Sequence, residues 1–154
     1  MLSKWTRERL GLPYKGGWLP LIIEAEALAE KYGAAVYVKD KFGALSTFWK
    51  AFNPPPSSVS LYGMGRAIEK ASYAVCQFCG NDQSVTQTPG PWVYTLCPEC
   101  MEMQNTPDGP EQEEKVLAAI ERLKACLASS GIPFEDAFKV RPSESYERSQ
   151  TILS

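Results

Sequence analysis

The sequence contains no histidine, and this absence removes the commonest general base at neutral pH and the commonest ligand of catalytic zinc. It also lacks any apolar run approaching the roughly 18 residues that a membrane-spanning helix needs. The first residues, MLSKWTRERLGLP, do not show the basic-then-apolar order of a signal peptide. We therefore expect no membrane contact and a cytoplasmic location, where thiols stay reduced.

Neither sign of charge dominates the 154 residues, whose formal net charge is −2. The first 75 residues carry ten Lys and Arg against six Asp and Glu, whereas the rest of the chain carries six against twelve. Hydrophobic residues make up 44% and charged residues 22%, a balance typical of folded globular chains. Charge alone therefore gives no reason to expect binding to a polyanion.

Apolar periodicity predicts an α+β chain whose residues 18–75 form a helix–hairpin–helix unit. Helices are predicted over 20–32 and 59–74, where apolar side chains recur at helical spacing. Between them, two strands over 34–39 and 44–50 are predicted, because both segments are rich in β-branched and aromatic residues. The turn of this hairpin is predicted at Asp40 to Gly43.

The remaining segments are predicted to be less ordered or to form an extension. Residues 1–17 read as a flexible lead-in, and the proline-rich residues 53–58 read as a stiff, extended loop. The segment 105–140 holds the strongest helical pattern, a helix that starts at Pro110. The polar residues 141–154 are predicted to be a disordered tail.

Four of the five cysteines form two Cys-x-x-Cys pairs within 76–104. Cys76 and Cys79 are followed by Gly80, and a predicted strand leads into Cys97 and Cys100. This spacing is typical of a zinc ribbon, in which two tight knuckles bring four thiolates onto one structural Zn²⁺. An iron–sulfur cluster or another metal is the main alternative.

A redox or catalytic role of these cysteines is disfavoured. A thioredoxin-like site needs a low-pKa cysteine that opens a helix, and here both pairs are predicted to end strands or knuckles. Catalytic zinc needs an open coordination position, which four thiolates would fill. A disulfide framework conflicts with the predicted location.

The C-terminal helix has three possible ways of burying its apolar stripe. It either packs inside the chain or forms a homodimer seam through 110–129, and docking into a partner's groove is a third alternative. Cys126 lies beside Leu123 and Leu127, so we interpret it as a small buried apolar residue. A reactive or dimer-linking thiol is the alternative.

The hairpin combines positive charge with aromatic rings, a combination that suits single-stranded nucleic acid as well as protein partners. Strand alternation places Leu45, Thr47 and Trp49 on one face and Ser46 and Phe48 on the other, so some of the rings belong to the core. The candidate contact residues are Lys39, Lys41, Phe42, Trp49 and Lys50.

The order of these features resembles a group of uncharacterised small zinc-ribbon proteins encoded by bacteriophages and prophages. The resemblance covers about residues 16–100 and rests on Gly17-Trp18, on VKDKFGAL, on CQFCG, and on Trp92 followed by TLCPEC. Members often carry an arginine where this chain has Ser46. The resemblance implies a phage origin, a host-cell location and a metal site, and it implies no activity.

We therefore expect a non-enzymatic α+β protein, since no histidine, phosphate-binding glycine loop or nucleophile–base pair is visible. The hypothesis is a zinc-binding phage accessory protein that binds a host or defence-system protein and modulates or inhibits it. The alternative is a nucleic-acid-binding or transcription-linked regulator that uses the basic, aromatic hairpin. An enzyme is the third hypothesis.

Overall fold

The computed structural model describes residues 2–52 and 60–139 and confirms the α+β class. The predicted loop over 53–58 and the tail over 141–154 lie outside the described residues. The helices are α1 (Lys4–Leu10), α2 (Leu19–Lys31), α3 (Leu61–Ser72), α4 (Pro98–Asn105) and α5 (Pro110–Ser129), with 3₁₀ helices at Gly16–Trp18 and Phe134–Lys139. The strands are β1 (Ala34–Lys41), β2 (Ala44–Ala51), β3 (Thr86–Gln87) and β4 (Thr95–Leu96).

The predicted hairpin is present, but its strands reach further than the sequence indicated. β1 and β2 pair antiparallel from Ala34↔Ala51 to Lys41↔Ala44, so Asp40 and Lys41 belong to the strand and the turn is only two residues long. Phe42 and Gly43 have φ angles of 54° and 80°, as in the type I′ turns that suit twisted hairpins. The Asp40 carboxylate accepts a hydrogen bond from the Gly43 N–H at 3.1 Å, which fixes this turn.

α2 and α3 pack on one face of the hairpin and form what we call the hairpin core. Ser72 at the end of α3 accepts a hydrogen bond from the Leu45 N–H at 2.9 Å. A Cβ at Gly65 would lie 2.3 Å from Thr47 Oγ1, so this glycine lets α3 approach β2 closely. The buried residues of the hairpin core are Trp18, Leu19, Ile22, Ala25, Ala29, Ala34, Val36, Val38, Leu45, Ile68, Leu123, Leu127 and Ala137.

Residues 2–17 are part of the folded body, which corrects the prediction of a flexible lead-in. Ser3 caps α1 by accepting the Thr6 N–H, and Gly11 ends the helix in the left-handed conformation. The Leu2 N–H donates to the Gln104 carbonyl at 3.0 Å, and Leu12 is 3% exposed. These contacts join a second cluster, the cysteine core, whose buried residues are Leu2, Leu12, Cys76, Phe78, Cys79, Leu96, Cys97, Cys100, Met103, Val116, Ala119 and Ile120.

α5 belongs to both clusters, so the predicted C-terminal extension is a central element. Its first half contributes Val116 and Ile120 to the cysteine core, and its second half contributes Leu123 and Leu127 to the hairpin core. The apolar stripe considered for a homodimer seam through 110–129 is therefore buried inside the chain. None of the helices within residues 2–52 and 60–139 has the length and apolarity to cross a bilayer.

Candidate metal centre

The four paired cysteines converge on one point. Their sulfur atoms all lie within 4.8 Å of one another, and the four residues, Cys76, Cys79, Cys97 and Cys100, are at most 1% exposed. The sulfurs of Cys79 and Cys97 are 3.6 Å apart, and all five cysteines are free thiols. A tetrahedral ion with metal–sulfur bonds of about 2.3 Å holds its ligands about 3.8 Å apart. The cluster is therefore consistent with a metal site.

The first pair sits in a tight backbone turn. The Cys76 N–H donates to the Asn81 carbonyl and the Gly80 N–H donates to the Cys76 carbonyl, both at 2.9 Å. Gly80 has a φ of 80°, and a Cβ there would lie 2.4 Å from Cys126 Sγ. Both the backbone and the neighbouring helix α5 therefore require glycine after Cys79.

The second pair differs from the prediction that both pairs end strands or knuckles. Cys97 follows β4 and is the N-cap of α4, and Cys100 lies in the first turn of that helix. Pro98 suits the first helical position, where its missing N–H costs nothing. Negative charge on these sulfurs is favoured here, because a helix N-terminus carries partial positive charge.

Gln77 and Thr95 bind the two pairs together. The Gln77 N–H donates to the Thr95 carbonyl at 2.9 Å, and the Thr95 N–H donates to the Gln77 side chain at 3.0 Å. The Thr95 hydroxyl also donates to the Gly43 carbonyl in the hairpin turn. This network connects both cysteine pairs to the hairpin, so the hairpin turn is positioned by the cluster.

The sulfurs strongly perturb one another. Hydrogen bonding from Cys100 lowers the pKa of Cys97 to about 6 and also lowers the pKa of Cys79. Hydrogen bonding to Cys76 raises the pKa of Cys100. Such mutual shifts are expected where thiols and thiolates share one buried site.

Arg122 on α5 completes the surroundings of the cluster, and the sequence reasoning missed it. Its Nη2 donates to Cys100 Sγ at 3.3 Å. Burial lowers the pKa of Arg122, but its interactions with the thiols of Cys79 and Cys100 outweigh burial and raise that pKa overall. The sequence did contain a signal for this contact. Arg122 lies one helical turn before Cys126, at the edge of the apolar stripe of α5, so it borders the face of the helix that packs inside the protein.

Cys126 is half-buried and lies against the first pair. Its Sγ is 3.8 Å from the Gly80 carbonyl oxygen, and burial raises its pKa. It is not among the four convergent cysteines. This placement agrees with the interpretation of Cys126 as a packing residue.

The hairpin residues singled out from the sequence lie on two different faces. Lys39, Lys41 and Lys50 are exposed on the face turned away from α2 and α3, and Phe42 protrudes from the turn with 72% exposure. Trp49 lies on the opposite face, where its Nε1 donates to Thr47 Oγ1 at 2.9 Å. Lys39 and Lys50 therefore lie apart from Trp49, whereas Lys41 and Phe42, at the hairpin turn, line one groove together with Trp49.

A groove between β2 and α3 holds three of these five candidates, Lys41, Phe42 and Trp49, although the sequence did not predict the groove itself. It encloses about 320 Å³. Tyr62 is 77% exposed and Tyr73 is 42% exposed, and both rings belong to this region. We call it the β2–α3 groove, and its lining residues are Lys41, Phe42, Ser46, Thr47, Trp49, Tyr62, Gly65, Arg66, Glu69 and Tyr73.

No protein-family model, curated protein or solved structure matches this chain. The resemblance to phage zinc-ribbon proteins therefore stays a prediction. The candidate site rests on the cysteine geometry and on the surfaces that surround it.

Proposed function

We propose that the chain is a non-enzymatic binding module in which one structural Zn²⁺ stiffens a recognition surface. The convergence of four buried thiols supports this proposal, since four thiolates complete the tetrahedral shell that zinc prefers in structural sites. Such a shell leaves no position for substrate or water. In this proposal the two cysteine pairs, β3, β4 and α4 form the zinc ribbon.

The β2–α3 groove is the observation that carries the binding role. It combines exposed tyrosines with Trp49, Lys41 and Arg66, and aromatic and arginine side chains are enriched at protein interfaces. The groove lies between two elements of the hairpin core, β2 and α3. The proposed partner is a host or bacterial defence protein that this phage-type accessory protein modulates or inhibits.

Affinity capture with matched variants tests this function. The metal-loaded chain is used to capture proteins from bacterial lysate, and wild type is compared with the Tyr62→Ala/Tyr73→Ala double variant and with Trp5→Ala. Trp5 is 68% exposed on α1, outside the groove, so its variant controls for the loss of an exposed aromatic ring.

We expect a partner that wild type and Trp5→Ala retain equally and that the groove variant binds about tenfold more weakly or worse. The absence of any protein with this pattern counts against the proposal. If both variants lose the partner to the same extent, the result counts against the groove as its binding site.

Nucleic-acid binding is a second candidate, which the other face of the hairpin favours. Lys39 and Lys50 lie there beside the stacked rings of Tyr37 and Phe48, whose centroids are 5.6 Å apart. Lys41 lies on the same face at the turn and also lines the β2–α3 groove. Lysines near phosphates and rings near bases are the elements of a single-strand platform. With only a few lysines identified on this face, we expect weak, strongly salt-dependent binding.

A gel shift across a salt series tests this candidate with single-stranded oligonucleotides. Lys39→Gln/Lys50→Gln, which leaves the groove residues unchanged, should reduce the salt dependence by about one unit of logarithmic slope for each phosphate that the variant no longer binds. Lys4→Gln/Lys70→Gln removes the same charge from α1 and α3 and should bind like wild type. No shift at low salt excludes the candidate.

A further inference from the structure

α5 forms one wall of the cysteine cluster. Val116, Ala119 and Ile120 are buried in the cysteine core together with all four convergent cysteines. Further along the helix, Arg122 reaches Cys100 and Cys126 contacts the backbone of Gly80. The helix therefore touches both cysteine pairs from the same side.

The position of Arg122 is costly unless the sulfurs are negatively charged. Its Nε is buried and has no hydrogen-bond partner within residues 2–52 and 60–139, although its Nη2 donates to Cys100 Sγ. A buried donor left without an acceptor costs about 1–3 kcal/mol, so another interaction must hold the guanidinium in place. Four thiolates around a divalent ion carry a net charge of −2, which supplies that interaction.

Arg122 differs from the other basic residues that the structure describes, because it donates a hydrogen bond to a sulfur of the cluster. Among the described residues 2–52 and 60–139, no other lysine or arginine donates a hydrogen bond to a cysteine sulfur. The other basic residue on this helix segment, Lys124, pairs with Glu121 at 3.3 Å instead. The charge balance of the site therefore depends on one side chain supplied by α5.

We infer that Arg122 is the charge-balancing and positioning partner of the bound metal, and that metal binding fixes α5 onto the cysteine cluster. This inference rests on the proposed metal site. Its physical basis is the N–H···S bond, which stabilises the negative charge on Cys100 and orients that ligand. Groups that hold metal ligands in this way affect metal affinity about 10–100-fold when they are replaced.

Metal competition on the full chain tests the role of Arg122. The zinc-loaded protein is titrated with a chromophoric chelator, and Arg122→Gln is expected to bind zinc about 10–100-fold more weakly than wild type. Arg66→Gln is the matched control, because Arg66 is an exposed arginine whose ion pair with Glu69 lies outside the cysteine core. Equal zinc affinity of Arg122→Gln and Arg66→Gln overturns the inference.

Cobalt substitution separates charge balance from packing. Loss of the N–H···S bond should move the sulfur-to-Co²⁺ charge-transfer band of Arg122→Gln to lower energy, because the sulfur lone pair is less stabilised. Arg122→Lys keeps the charge and should recover part of the affinity and of the band position. The charge-balancing role is overturned if Arg122→Lys binds the metal as weakly as Arg122→Gln does. It is also overturned if the charge-transfer band of Arg122→Gln is unchanged from that of wild type.

Hydrogen exchange tests the coupling to α5. Zinc should increase the protection of Val116 to Leu127 in wild type and should do so less in Arg122→Gln. Protection of α5 that is independent of zinc overturns the coupling. A wild-type chain that binds neither Zn²⁺ nor Co²⁺ contradicts the proposed metal site itself, an outcome distinct from a metal-bound chain in which Arg122 has no effect.

Discussion

Gly17 lies directly against the backbone of Cys76. A Cβ at Gly17 would be 1.9 Å from the Cys76 carbonyl oxygen, and the Gly17 N–H donates to the Gln77 carbonyl at 2.9 Å. The next residue, Trp18, is fully buried, and its Nε1 donates to the carbonyls of Ser72 and Val75. The Gly-Trp pair thus joins the start of α2 to the first cysteine pair, which gives a physical reason for this sequence feature.

We expect Gly17→Ala to destabilise the metal-loaded protein by about 3 kcal/mol or more, because the rigid backbone of Cys76 must move to admit the methyl group. Urea unfolding measures this loss. Gly33→Ala is the control, since Gly33 has a φ of 63° and open space around it, and backbone strain alone should cost about 1–2 kcal/mol there. Similar losses in the two variants contradict the close contact.

Metal analysis should find one zinc ion per chain, bound through four thiolates. Cys97→Ser is expected to abolish stoichiometric binding, whereas Cys126→Ser should keep it, because Cys126 lies outside the convergent set. Structural zinc sites contribute about 10–16 kcal/mol of binding free energy, so chelation should unfold β3, β4 and α4. A chelated chain that keeps its near-ultraviolet circular dichroism contradicts a structural role of the metal.

Lys15→Met is expected to stabilise the protein by about 1–3 kcal/mol at pH 7. Lys15 is 2% exposed, and its Nζ has no hydrogen-bond partner among the described residues. Burial lowers the pKa of Lys15 below 10.5 despite the attraction of Asp40, so the unfolded chain binds this proton more tightly than the folded protein does. The wild-type free energy of unfolding should therefore rise as the pH increases from the lowered pKa towards 10.5.

Urea unfolding across this pH range measures the effect. In the Lys15→Met protein, the free energy of unfolding should increase less with pH, because the contribution of Lys15 is absent. Lys4→Met removes an exposed lysine that pairs weakly with Glu8, and it should follow the wild-type pH dependence. A Lys15→Met protein less stable than wild type at pH 7 contradicts the argument.

Two leucines on α5 provide a matched pair for the role of this helix. Leu123 is fully buried in the hairpin core, so Leu123→Ala should cost about 2–5 kcal/mol. Leu117 is 52% exposed, and Leu117→Ala should change the free energy of unfolding by less than about 0.5 kcal/mol. Thermal or urea unfolding compares them.

Sedimentation of the same variants tests the homodimer alternative. Because the apolar stripe of α5 is buried within the chain, wild type and Leu117→Ala should both sediment as monomers. A dimeric wild type that Leu117→Ala converts into monomers instead supports a seam through 110–129.

The sequence predicted the elements that carry long, regular patterns. α2 and α5 combine an apolar stripe with glycine just after the end, and the hairpin combines β-forming segments with Gly43, so their local signals agree with the fold. Convergence of the four cysteines also followed from their spacing. α1 was missed because it has seven residues and only Thr6 among them is buried, too little for a periodic pattern.

The surroundings of the cluster depend on contacts between distant segments. α4 was not predicted, because it is only eight residues long and begins within the second Cys-x-x-Cys pair, which was interpreted as a metal-binding knuckle. Arg122 meets Cys100 only because α5 packs against α4, and the β2–α3 groove lies where Gly65 packs against Thr47. Such tertiary contacts between segments that are distant in sequence cannot be predicted from a local sequence pattern.

The placement of α5 in both cores has a consequence for biosynthesis. A ribosome releases a chain from its N-terminus at about 5–20 residues per second, so Cys100 emerges seconds before α5 is complete. During that interval α5 does not yet cover the four thiols, which are therefore accessible to oxidants and to metal ions. The proposed metal ion can therefore bind before α5 packs onto the cysteine cluster, so folding of the later segment would follow metal binding.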